Sequence, residues 1–159
     1  MSSRSWYSNA WHNASQFSRD KTQNGMPVFK NSEQLYGCLK ILFTRIGEED
    51  IGANQKVMAS RLVMRLRCKD PAAEVIINGR SNPVKIAYGA STLRPDIDLE
   101  ITADALHYIL LGQMNLTKAL GSGALKFKGP VWKSFVMEDI FRRGQAIYPQ
   151  IMRECNPLS

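Results

Sequence analysis

The sequence predicts an α+β domain in which helices cover one face of a five-stranded sheet. Three observations predict it: short stretches of two-residue alternation, longer stretches with apolar residues at helical spacing, and the order in which these follow one another. From residue 32 onward that order reads helix, a three-stranded antiparallel meander, a crossover to strand-helix-strand, and a C-terminal helix.

Residues 1–31 are rich in Ser, Asn, Gln and Gly, with Trp6, Tyr7, Trp11 and Phe17 at no regular period. They are expected to form an arm whose aromatics dock on the body or on a second copy, which would make it a route to a homodimer. Residues 32–159 make the domain. Ser32 opens a helix with Leu35, Leu39, Leu42, Phe43 and Ile46 on one stripe and Gly47 at its end. Glu48 to Lys56 is polar, contains Gly52, and is expected to be a loop.

Three strands follow. Leu62, Met64 and Leu66 face one way while Arg61, Arg65 and Arg67 face the other. Val75 and Ile77 then lead to an Asn78-Gly79 turn, and Val84, Ile86 and Tyr88 follow Pro83. A loop from Gly89 to Asp96 reaches a fourth strand, where Ile97, Leu99 and Ile101 alternate with Asp98, Glu100 and Thr102. Thr102 suits a helix N-cap, Asp104 complements the dipole of the first turn, and Leu106, Ile109, Leu110 and Met114 recur at helical spacing. Gly121-Ser-Gly123 reads as a turn into a fifth strand, Leu125 and Phe127 alternating with Lys126 and Lys128 until Gly129-Pro130 stops it. The last helix carries Trp132, Phe135, Val136, Ile140, Ile147 and Tyr148, with Gly144 a weak point and Pro149 an expected kink or end.

Composition narrows the function. With 159 residues, 44% of them hydrophobic and 22% charged, the chain is an ordinary globule of one domain plus an arm. No apolar run approaches the roughly 18 residues of a membrane helix, and no continuous apolar core follows the first residues, so a cytoplasmic location is expected. Cys38, Cys68 and Cys155 are odd in number with no Cys-x-x-Cys pair, which favours reduced thiols over disulfides or zinc. The net charge of +7 is spread along the chain and suits any polyanion: lipid headgroups, acyl-CoA phosphates or nucleic acid.

Groups equipped for chemistry are scarce. His107 lies beside Tyr108 with no serine elbow or Cys-His pattern to make it a base, and His12 lies in the arm. Gly121-Ser-Gly123 joins a helix to a strand, the reverse of a phosphate cradle, and no Gly-Lys-Ser/Thr follows. The strand arginines lack stacking aromatics on their face, so nucleic-acid binding is not expected. The chain is therefore expected to be no enzyme, with no catalytic residue, no metal and no cofactor.

Leu111-Gly112, Lys118-Ala119 and Gly123-Ala-Leu-Lys-Phe-Lys-Gly129 resemble the helix, the lysine-alanine step and the glycine-bracketed strand of the sterol carrier protein family, the SCP-like lipid-binding domains. The resemblance is strongest at these residues and extends through the strand order from Leu35 to Tyr148. Two departures stand out: Pro130 replaces an acidic residue common in relatives, and Pro157-Leu-Ser159 is not the peroxisomal tripeptide of animal members. The resemblance implies non-catalytic binding and transfer of a sterol, fatty acid or fatty acyl-CoA in an apolar tunnel between sheet and helices. The candidate wall is Leu106, Ile109, Leu110 and Met114 on the middle helix, Leu125 and Phe127 on the last strand, and Trp132, Phe135 and Ile140 on the final helix. Met64, Met114 and Met137 would make such a wall adaptable. The final helix would serve as its lid, since Gly144 and Pro149 weaken its continuity, and an anionic membrane surface is an expected transient contact. A second implication is an accessory module for an enzyme of lipid, sterol or quinone metabolism.

Overall fold

The computed structural model describes residues 27–155. The expected arm lies outside the described residues as far as residue 26, and with it the expected contact between copies. Its last part, residues 27–31, packs into the body. Val28 and Phe29 are buried, and the Val28 N–H donates to the buried Asp104 carboxylate at 3.0 Å.

Helix α1 (Ser32–Glu49) starts where the Asn31 side chain accepts the Gln34 N–H at 2.9 Å. Its stripe Leu35, Leu39, Leu42, Phe43 and Ile46 is buried as expected. Gly47 does not end it. The helix runs two residues further, and Asp50 then accepts the Ala53 N–H and starts α2 (Ile51–Ser60) inside the segment expected to be a loop. Only Ala53 and Val57 are buried along α2, too little to show as a stripe in a polar sequence, so the cap and tertiary packing decide its form.

Strands β1 (Val63–Lys69), β2 (Ala73–Asn78), β3 (Lys85–Tyr88), β4 (Ile97–Thr102) and β5 (Leu125–Lys128) form one sheet in the order β3-β2-β1-β4-β5. The meander is antiparallel, β1 and β4 run parallel, and β5 returns antiparallel to β4. The register aligns Ile77, Met64 and Ile97, then Val75, Leu66 and Leu99, as rows of apolar side chains beneath the helices. On the opposite face Arg65 and Arg67 both bind Asp98, at 2.5 and 3.2 Å, while Lys69 binds Glu100 at 3.1 Å. Acids from the neighbouring strand thus neutralise the arginines, which do not form the continuous basic track a nucleic acid would follow.

Thr102 caps α3 (Ala103–Leu110) by accepting the Ala105 N–H at 3.1 Å. The single helix expected here is two. The chain turns at Gly112, whose φ is +75°, and Asn115 caps α4 (Leu116–Ser122). Gly121 and Ser122 are consequently the last turn of a helix, with the left-handed Gly123 as its C-cap. After β5, a 3₁₀ turn (Val131–Lys133) leads into α5 (Ser134–Cys155), which continues through Pro149 without ending.

Candidate apolar ligand site

The C-terminal helix α5 roofs the sheet, and its buried stripe is Met137, Phe141, Gly144, Tyr148 and Ile151. Gly144 is no weak point. A Cβ there would stand 3.0 Å from Leu110 Cδ2, with Leu42 and Ile46 next nearest, so glycine lets α5 approach α3 and α1 closely. Polar ties hold the helix from its middle onward. Asp139 receives Arg143 Nε at 2.7 Å and also pairs with Arg142, Arg143 pairs with Asp50 before α2, Gln145 donates to the Ile109 carbonyl at 2.8 Å, and Glu154 pairs with Arg45. Before Asp139 the contacts that seat α5 are apolar. The first turn is thus the part of the roof that can lift at least cost.

Two apolar spaces lie beneath this roof. The inner one, about 30 Å³, is enclosed by α1, β1, β2, α3 and α5, and its lining is wholly apolar, including Leu42, Met64, Ile77, Leu106, Leu110 and Ile140. It would hold little more than one water. The outer one is a groove of about 470 Å³ between α4, β5 and the start of α5, with Leu99, Leu116, Leu120, Leu125, Phe127 and Val131 among its walls. Met137 and Phe141 belong to both linings. These two side chains, one helical turn apart, stand between the buried void and an opening to solvent.

The expected wall residues fall into four sets. Leu106, Leu110 and Ile140 line the inner void, and Leu125 and Phe127 line the outer groove. Ile109 and Met114 are buried in the core outside both spaces. Trp132 and Phe135 depart from expectation: they are 72% and 61% exposed. Trp132 belongs to the 3₁₀ turn that precedes α5, and Phe135 stands on the outer side of the helix's first turn, whereas Val136 and Tyr148 of the same stripe are buried and Ile140 reaches the inner void. Met137 with Phe141 at i+4 and Gly144 at i+7 was the legible signal for the wall on this helix.

The only histidine among the described residues is built into the core. His107 Nδ1 lies 2.8 Å from the Tyr148 hydroxyl, with Phe29 and Tyr108 edge-on to the imidazole. Burial lowers the His107 pKa against the opposing pull of Asp104, and burial raises that of Tyr148. Both groups are therefore neutral at pH 7.5 and share one hydrogen bond between the hydroxyl and Nδ1. A proton is held more weakly by folded His107 than by the unfolded chain, so stability is complete above the unfolded value of 6.5 and declines as the pH falls below it. The unfolding free energy obtained from urea melts should fall once the pH drops below 6.5, by no more than about 1.4 kcal/mol per pH unit, and His107→Gln should flatten that fall.

Nucleophiles are equally muted. Cys38 and Cys68 are buried, and burial pushes each thiol up to about 12, that of Cys38 with help from the neighbouring Cys155. Among the described residues no three His, Cys, Asp or Glu side chains converge as metal ligands, and no helix is long and apolar enough to cross a membrane. What the geometry offers is apolar volume.

Comparison with known proteins places this architecture. The profile of the SCP-2 sterol transfer family matches residues 43–142. Among solved structures, the sterol carrier protein domain 2 of Helicoverpa armigera superposes with a TM-score of 0.58 at 19% identity, over 71% of this chain and 89% of that one. Sterol carrier protein 2 of Yarrowia lipolytica gives 0.50 at 19% identity over 64% and 85%. Sterol carrier protein 2 like 2 of Aedes aegypti gives 0.50 at 16% over 69% and 95%. A search of curated proteins found no match.

Proposed function

The chain belongs to the SCP-2 sterol transfer family, and from that premise we propose that it binds and carries a long apolar lipid, a fatty acid, fatty acyl-CoA or sterol, between α5 and the sheet, without chemistry. The observation that supports this most is the shared lining: Met137 and Phe141 separate a wholly apolar void from a groove that is open to solvent. The groove alone falls within the roughly 300–1,000 Å³ of small-molecule sites. A long chain needs the inner space as well, which it gains when the first turn of α5 lifts and Met137 changes rotamer. The unbranched thioether chain makes that rearrangement cheap.

The energetics suffice. Removing about 500 Å² of lipid surface from water is worth about 12 kcal/mol. An association cost of about 4 kcal/mol or more leaves a micromolar complex, which requires about 8 kcal/mol. Release by the same lift of the roof would make the binding reversible, as a carrier requires.

Titration with a fluorescent long-chain fatty acid tests the proposal. One saturable site of micromolar Kd, displaced by unlabelled palmitate, is the expected result. Fluorescence that does not saturate, or that palmitate does not displace, would overturn it.

A further inference from the structure

The lip of the groove carries the largest exposed aromatics of the described chain. Val131, Trp132 and Phe135 are 73%, 72% and 61% exposed, an apolar cluster on one short protrusion. Such clustering at a surface marks an interaction site more often than chance exposure does. Val131 lines the outer groove, so the protrusion and the groove mouth are continuous. Lys133 extends its ammonium over the Trp132 ring, 5.1 Å from the centroid.

Cations frame the cluster. Trp132 and Phe135 border a shallow depression with Arg61, Arg80 and Lys133, and Phe135 borders a second with Lys56 and Arg142. Arg80 pairs with Asp96 at 2.9 Å and both Lys56 and Arg142 pair with Asp139, so the positive charge in excess of the acids comes from Arg61 and Lys133. Glu138 remains exposed on the same rim and opposes the positive field. An indole beside lysine, flanked by further apolar side chains and ringed by cations, matches the chemistry of a lipid interface, where amphipathic aromatics sit at headgroup depth and basic residues meet anionic headgroups.

We propose that the Val131–Phe135 protrusion docks the protein on an anionic bilayer, seating Trp132 and Phe135 in the headgroup region so that the groove opens directly onto acyl chains. This rests on the lipid-carrier reading of the groove, because only then does a bilayer beneath the mouth offer cargo; a protein seated on the protrusion would cover that mouth. The ties that fix α5 begin at Asp139, so the docked segment is the same first turn that must lift, and insertion would favour the open roof.

Co-sedimentation of the full chain with vesicles tests the proposal, using pure phosphatidylcholine and phosphatidylcholine containing phosphatidylglycerol. Anionic vesicles should bind the chain at least tenfold more tightly than neutral ones, with the difference lost in high salt. Trp132→Ser with Phe135→Ser should weaken anionic binding at least tenfold, and Lys133→Glu severalfold, while the double variant keeps its melting behaviour and its binding of the soluble fluorescent fatty acid. Both substituted side chains are solvent-facing and lie outside the two lipid spaces. Equal binding of neutral and anionic vesicles, or a double variant that binds as tightly as the parent, would overturn the proposal. So would self-association of the parent that the double variant abolishes, since a second copy would then occupy the cluster. Failure of the parent to bind soluble fatty acid would strike at the carrier reading instead, and is distinguishable because vesicle binding is measured separately.

Discussion

Phe141→Ala should lower stability by about 3–5 kcal/mol and at the same time enlarge the response to ligand. Phe141 is buried to 6% exposure, packed between the inner void and the outer groove. Truncation removes apolar burial and leaves a space the surrounding helices fill only in part. That space joins the void to the groove, so a fatty acid can occupy both with little displacement of the roof. Ligand present at about 100 times its Kd stabilises a folded protein by about 2.7 kcal/mol, and tighter binding to the variant should raise this figure above the parent's. Urea unfolding with and without palmitate measures both quantities. A loss below about 1 kcal/mol, or a ligand response no greater than the parent's, would show that Phe141 is not the partition.

Gly129→Ala should cost about 3 kcal/mol or more, through backbone rather than side-chain packing. Gly129 has φ +141°, a conformation that L side chains rarely adopt, and a Cβ there would lie 2.8 Å from the Asp96 carbonyl oxygen. Asp96 cannot yield easily. Its N–H donates to the Val63 carbonyl at 2.8 Å, its carboxylate accepts the Val63 N–H at 2.9 Å, and Arg80 holds its other side. The substitution therefore forces apart the exit of β5 and the start of β4, and displaces the protrusion that follows. Gly37→Ala supplies the contrast. Gly37 is an exposed position of α1 where a Cβ would meet nothing within 4 Å, and alanine there should stabilise by about 0.5–1 kcal/mol. Equal midpoints for the two variants would refute this account of the glycine-bracketed strand.

That strand shows what sequence makes legible. Gly123 and Gly129 mark positions of positive φ, which favour glycine, and at Gly129 a Cβ would also meet the Asp96 carbonyl; such demands are visible in residue identity alone. The alternation of Met64 and Leu66 with Arg65 and Arg67, or of Ile97, Leu99 and Ile101 with their polar neighbours, likewise reports a sheet with one apolar face. The elements that escaped were those decided by tertiary context. Helix α2 buries only Ala53 and Val57, so its sequence carries almost no stripe. The division of α3 from α4 depends on Gly112 adopting positive φ, which a glycine permits without requiring.

The site was less legible than the fold for a physical reason. Periodicity identifies the side of α5 that faces the sheet but contains nothing about the distance between them. Leu106, Leu110 and Ile140 point inward as their spacing implies, yet whether they enclose a tunnel or a 30 Å³ void depends on how Gly144 seats against Leu110. On α5 the helical phase also had to be counted from the right residue. Trp132 lies in the 3₁₀ turn before the helix and Phe135 on the outer side of its first turn, both at the surface, whereas Met137 and Phe141 of the same helix face the two spaces.

The most direct test is a palmitate titration of the chain with ¹³C-labelled methyl groups, followed at two sets of residues. Leu42, Ile77 and Leu110 report the inner void; Leu116, Leu120 and Leu125 report the outer groove. If the roof lifts to admit a lipid, both sets shift together and saturate with one constant. Shifts confined to the groove methyls, or to neither set, would contradict the existence of a ligand space behind Met137 and Phe141.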